Sequence, residues 1–166
     1  MSISMYQASV PVFVRMLKNL DAILSKAQVH AEAKKIASGV LPATRLIADM
    51  LPLSKQIQIA TDHAKGAPAR LARTELPKYE DNEQTIDELK ARIAKTIAFL
   101  ETFKPEQIDG SEDAEIAFKL GSHDLQFKGI DYLLGFAMPN FYFHVVTAYD
   151  ILRANGVDIG KRDFIG

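Results

Sequence analysis

Apolar residues return at every third or fourth position along most of this chain, and the few places where that rhythm fails mark its connections. From Met5 to Ala27 the residues Val10, Phe13, Met16, Leu17, Leu20, Ile23, Leu24 and Ala27 keep the helical period, so one helix buries all of them on one face. Pro11 has no backbone donor and therefore either kinks this helix near its start or marks its true beginning. Positions 28 to 48 lose the period, with Gly39 and Pro42 as punctuation and room for one short helix in VHAEAKKIA. The period resumes after Asp49, the expected cap of a second helix whose first turn tolerates Pro52 and whose stripe is Leu53, Ile57, Ala60, Ala64, Ala67 and Leu71. Gly66 and Pro68 are expected to bend this helix or fray its end.

KYEDNE reads as a polar linker, and TIDE at Thr85 to Glu88 has the spacing of a capping box, with Asp81 or Asn82 as earlier alternatives. Ile86, Leu89, Ile93, Ile97 and Leu100 form the stripe of a third helix, and Glu88 and Arg92, four apart, are expected to pair on its flank. Between Glu115 and Lys128 the period drops to two. Ile116, Phe118 and Leu120 alternate with polar residues, GSHD turns the chain, and Leu125 and Phe127 alternate again, which is the pattern of a β-hairpin. Such a hairpin is marginal alone, so its apolar face must pack on a helix or over one end of the helices.

A fourth helix is expected from about Ile130 to Ala154, with Ile130, Leu133, Leu134, Ala137, Phe141, Val145, Ala148, Ile151 and Leu152 on its inner side. Pro139 inside it would crowd the carbonyl of Gly135 and kink it, and Asn155 with Gly156 supplies a left-handed stop. The elements predict an all-α fold: a four-helix bundle with a small β-hairpin between helices three and four, forming one domain over residues 1–166. The connections before helices two and four are long enough to cross over the bundle.

Composition narrows the chemistry. The 166 residues suit one domain, long enough to bury roughly 70% of its unfolded surface without a staple. There is no cysteine, which excludes disulfides, thiolate metal sites and cysteine nucleophiles. Twenty basic residues against twenty-one acidic ones give a net charge of -1, and no basic face is visible, so no nucleic-acid partner is expected. The N-terminal stretch lacks a basic region followed by an apolar run, and no apolar run approaches the roughly 20 residues that span a bilayer. The expectation is a soluble cytoplasmic protein with no membrane partner.

The chemically interesting residue is His144, set in NFYFHVVTAYDIL. At about 100° per residue it lies roughly 40° from the centre of the apolar side of helix four, and so points inward. Asn140 and Thr147 flank the same edge, against small Ala137 and Ala148. A buried imidazole needs a hydrogen-bond partner, and Gln56 is the inward polar candidate if helices two and four are neighbours. Three readings are open for His144: a structural histidine, a polar group lining a small-molecule pocket, or a metal ligand. His63 is expected on a solvated flank of helix two, on the side of Gln56, with Asp62 pointing elsewhere. His30 falls in the connection after helix one and His123 in the hairpin turn, where neither needs a function. The carboxylates are scattered without a paired inward arrangement, and no P-loop, Rossmann glycine pattern or nucleophile elbow occurs. GKRDFIG at the end is expected to form ion pairs and to dock Phe164 and Ile165 on the helices.

The phrases MYQASVPVF, QIQIATDHAKGAPARLA and NFYFHVVTAYDILRANGVDIGKRDFIG resemble an uncharacterised bacterial domain family of the DinB/YfiT-like helical-bundle superfamily. The likeness spans nearly the whole chain. It implies a bundle, and it implies relatives described as metalloenzymes, some of them metal-dependent thiol S-transferases, whose metal is held by three histidines. One of those comes from helix two and two from an H-x-x-x-H pair on helix four, since residues four apart share a helix face. His144 matches the first of that pair, but four residues on stands Ala148, which cannot ligate. The expectation is therefore a protein with no cofactor that binds a small molecule or acts without catalysis, through His144, Asn140, Gln56, Thr147 and His63. It is also expected to be a homodimer through an exposed helix face. The alternative is a divergent enzyme using a divalent transition metal on His144 and His63, with the Gln56 amide or water completing the shell.

Overall fold

The computed structural model describes residues 3–166, so the first two positions of the expected domain lie outside the described residues. Helix α1 (Val10–Lys34) buries all eight expected residues, from Val10 to Ala27. Pro11 stands in its first turn, where no intrahelical donor is needed, so it starts the helix and does not kink it. The helix runs on past Ala27, and VHAEAK forms its last turns in place of a separate short helix. Ala, Glu and Lys there are strong helix formers that need no core face to stay helical. Lys35 closes the helix in the left-handed region at φ 56°, while the Ile36 N–H donates to the Ala31 carbonyl at 2.8 Å.

A short helix α2 (Val40–Ala43) in the connection buries Leu41. Helix α3 (Leu53–Leu71) follows with its six expected stripe residues buried. Its cap is Pro52, whereas Asp49, the expected cap, is exposed and makes no capping bond. The Leu53 N–H, one of the first-turn donors without an intrahelical partner, donates to the Thr44 carbonyl at 2.9 Å and ties the start of α3 to the preceding connection. Pro68 falls in the last turn of α3, just before its end at Leu71.

Helix α4 (Ile86–Leu100) starts with the capping box that the sequence announces. Thr85 Oγ1 accepts from the Glu88 N–H at 3.2 Å, and the Glu88 carboxylate accepts from the Thr85 N–H at 2.9 Å and the Gln84 N–H at 2.6 Å. Glu88 is thereby spent on backbone donors, and the expected Glu88–Arg92 flank pair does not form. A short helix α5 (Pro105–Ile108) buries Ile108 beside the core.

Strands β1 (Glu115–Leu120) and β2 (His123–Lys128) pair antiparallel from Glu115↔Lys128 to Leu120↔His123. The turn is therefore only Gly121 and Ser122, with Gly121 at φ 59°, and His123 opens a strand instead of lying in the turn. Phe118 lies 5.6 Å from the ring of Tyr132, and Phe127 lies 5.3 Å from that of Phe136, so the hairpin covers the start of the last long helix.

That last helix has three parts: α6 (Gly129–Asp131), a π-helical stretch (Tyr132–Ala137) and α7 (Met138–Ala154). Pro139 is the second residue of α7, and the turn before it is widened into the π-helical stretch. In a straight α-helix its ring would meet the Gly135 carbonyl; a π turn, with its i→i+5 bonding, carries one more residue and relieves that crowding. Leu133 is buried as expected, but the widening shifts the phase so that Tyr132 is buried and Leu134, expected inside, is 53% exposed. Gly156 at φ 86° stops α7 as expected.

The closing helix α8 (Lys161–Ile165) returns to α1. The Asn19 amide donates to the Phe164 carbonyl at 3.0 Å, the Arg15 guanidinium to the Ile165 carbonyl at 2.8 Å, and Lys26 pairs with Asp163 at 2.7 Å. Helix α3 packs against both α7 and α4, and α1 packs against α4, α3 and α7. Phe13 meets Phe141 edge-on at 4.9 Å in the resulting core. The protein is mostly helical with one small antiparallel hairpin, and no helix among the described residues is long and apolar enough to cross a membrane.

Candidate functional site

Gln56 and His63 stand seven residues apart on α3, which is two turns and hence one face, and α7 lies against that face. The structure joins Gln56 to His144 directly, with Gln56 Oε1 2.7 Å from His144 Nδ1. Gln56 is nearly sealed, at 2% exposure, and its Nε2 donates to the Leu51 carbonyl at 2.9 Å. The ring of His63 lies 6.2 Å from that of His144 and only 13° from parallel to it. Phe136 meets His63 at 5.7 Å, and Phe143 meets His144 at 5.3 Å.

Both imidazoles are kept neutral. Burial lowers the pKa of His63 to about 4, aided by His144, Arg70 and Lys65 and opposed only by Asp62. Burial also lowers that of His144. His63 is therefore half-buried and packed on an aromatic ring, not on a solvated flank as its place on the α3 stripe had implied. The hairpin and the π turn bring Phe136 over that edge of α3, a tertiary event that helical periodicity does not encode.

Asn140 and Thr147 turn back onto their own helix. The Asn140 amide donates to the Phe136 carbonyl and the Thr147 hydroxyl to the Phe143 carbonyl, each at 2.7 Å. His30 lies on α1, not in the connection, because that helix continues to Lys34.

The three-histidine set implied by the resemblance does not fit this chain. Ala148 is fully buried and brings no ligand, and Nδ1 of His144 is already held by Gln56. Asp62, the carboxylate next to His63 in sequence, is turned to Lys65 at 2.5 Å and to Arg92 at 3.0 Å. Among the described residues no three His, Cys, Asp or Glu side chains gather as a metal site would need.

Sequence reasoning missed Arg92. Its side chain is only 2% exposed and reaches Asp62 at 3.0 Å, Asp81 at 3.1 Å and Glu83 at 3.0 Å. Its Nε donates to Thr61 Oγ1 at 2.7 Å, and one Nη donates to the Glu80 carbonyl at 3.1 Å. Tyr79 completes the cluster, with the ammonium of Lys65 4.6 Å and that of Lys95 4.2 Å from its ring. The carboxylates read as scattered thus converge in space, but as partners of a guanidinium and not as an acid/base pair. The available signal was position: Arg92 borders the buried stripe beside Leu89, and an acidic linker precedes the helix.

This helical scaffold with its hairpin is DinB-like: a crystal structure of a DinB family member from Shewanella denitrificans is 42% identical over 97% of this chain and 91% of that one, with a TM-score of 0.87. No functionally curated protein matches the chain. Residues 5–165 match the family described as Domain of unknown function (DUF1993), and the chain belongs to that family.

Proposed function

We propose that this protein is a single-domain four-helix bundle of the DinB/YfiT-like kind that binds a small molecule without catalysing its conversion. Gln56, His63 and His144 are the polar groups of its site, with Asn140 and Thr147 at the border. The observation that carries the reading is the 2.7 Å contact between His144 and Gln56, which commits the one histidine matching the superfamily motif to an amide. Phe136 and Phe143 beside the two imidazoles supply apolar surface of the kind that small-molecule sites use. The protein acts in the cytoplasm as a homodimer, through the outer face of α7 where Val146 is 40% exposed. Mass spectrometry of natively purified protein is the test. A co-purifying organic molecule, lost in His144→Ala, is expected.

The second reading is a metal-dependent enzyme, and its support is the pairing of two imidazoles at 6.2 Å. It requires a third ligand from outside the side chains just described. Elemental analysis of protein purified without added metal separates the two readings: a stoichiometric transition metal that disappears in His144→Ala establishes the second and removes the first.

A further inference from the structure

An amide has one end that donates and one that accepts, and here the two ends are not interchangeable. Gln56 Nε2 faces the Leu51 carbonyl at 2.9 Å, an oxygen that can only accept. Turning the amide around would set two acceptors against each other, so Oε1 is the atom that meets His144 Nδ1 at 2.7 Å. That nitrogen must carry the hydrogen. In a neutral imidazole the other nitrogen then holds a lone pair.

His144 Nε2 has no hydrogen-bond partner among the described residues, yet it is not sealed: the buried, unpaired side-chain atoms are Gln58 Oε1 and Ser111 Oγ. The site therefore presents a fixed acceptor to whatever reaches it. The charged side chains around His63 are already engaged. Lys65 is held by Asp62 at 2.5 Å, Asp62 also accepts from Arg92 at 3.0 Å, and Arg70 donates to the Tyr132 hydroxyl at 3.0 Å while lying 4.3 Å over the Phe118 ring. An ionised carboxylate brings only acceptors to a bare Nε2, and an ammonium would find Asp62 already paired with two cations.

We infer that Gln56 locks His144 as its Nδ1–H tautomer, and that Nε2 accepts a hydrogen bond from a ligand carrying a neutral hydroxyl on an aromatic or otherwise apolar body. The inference rests on the small-molecule reading above and names the ligand class. Gln56 is a positioning residue in this scheme: it touches no ligand and acts by deciding which nitrogen of His144 is bare. Burial, which keeps both imidazoles neutral, supports the same arrangement.

The test is nitrogen NMR of histidine-labelled protein, titrated in turn with phenol, anisole, benzoate and zinc chloride. His144 is expected to show a protonated Nδ1 and a bare Nε2, and phenol is expected to move the Nε2 resonance saturably. Phenol should bind at least about tenfold more tightly than anisole, which has the same body without the donor; tenfold is the scale of one hydrogen bond. Gln56→Leu, which offers Nδ1 no acceptor, should release the proton to Nε2 and abolish the preference. A proton on Nε2 in the wild-type protein overturns the inference, as does benzoate binding best, and either leaves small-molecule binding itself standing. Silence towards all the organic probes overturns both readings together. Zinc saturating at one equivalent on His63 and His144 replaces both with the metal site.

Discussion

Arg92 on α4 and Asp62 on α3 are joined at 3.0 Å by a guanidinium that is 2% exposed and a carboxylate that is 44% exposed. The pair ties two core helices together, and through Asp81 and Glu83 the same guanidinium holds down the linker that precedes α4. The cation is buried while two of its three anions keep contact with water. Removing the cation leaves carboxylates facing one another around an empty space, with Glu83, 11% exposed, the least able to find solvent.

Arg92→Met is expected to destabilise the protein by about 3 kcal/mol, at the low end for a broken buried pair because Asp62 and Asp81 stay half-solvated. Urea denaturation reads the change. Part of the loss should return at ~1 M salt, where repulsion among the stranded carboxylates is screened. An equal loss at low and high salt would mean that packing, and not charge, holds the linker.

Thr85→Ala removes the hydroxyl that accepts from the Glu88 N–H, and about 1 kcal/mol of stability should go with it. The Glu88 carboxylate has its pKa lowered by the backbone donors of Gln84 and Thr85 and by the Thr85 hydroxyl. Because this pKa is depressed in the folded state, its contribution is present above the ordinary carboxylate value and fades as pH falls through the folded one. The stability difference between wild type and Thr85→Ala, followed by thermal melts, should narrow in acid.

His63 acts in the same direction, over a higher pH window. Its folded pKa of about 4 lies below the unfolded value of 6.5, so between those two pH values the unfolded chain binds the extra proton. Stability is full above pH 6.5 and falls as pH drops towards 4. His63→Phe, which preserves the contact with Phe136, should flatten that part of the curve, and melting temperatures from neutral pH downward would show it. A His63 resonance titrating near the ordinary value would refute the burial argument.

Cutting the chain after Asn155 removes α8 and with it Val157 and Ile159, which are 0% and 3% exposed. The expected loss is about 3 kcal/mol or more from those two side chains, before counting the contacts of Asn19, Arg15 and Lys26. An unchanged melting temperature would show that the tail merely rests on α1.

The buried faces of α1, α3 and α4 were legible because each rests on a local repeat that its own residues carry, and the hairpin was legible because the period changed at Ile116. The start of α3 was not, since the donor of Leu53 is met by Thr44, nine residues back and in no motif. Arg92 was hidden for a similar reason. Its pairing with Glu88 is the local choice, but Glu88 is drawn away by the capping box, and the partners that replace it come from another helix and a linker. At the site, periodicity was enough to turn His144 and Gln56 inward, yet the burial of His63 depends on Phe136, whose place follows from a π turn that no helical repeat records.

The turn from Tyr132 to Ala137 has the length of an α-helical turn plus one residue. A helix interrupted in this way points its two ends in directions that a regular helix of the same sequence would not reach, since one residue is worth about 100° of rotation. Deleting a single residue between positions 132 and 137 would therefore remove the widened turn and bring the Pro139 ring against the carbonyl four residues before it, displacing the hairpin side of the helix from His63 while His144 stays against Gln56. A one-residue change in chain length, made where no histidine is touched, would uncover one side of the site and leave the other intact.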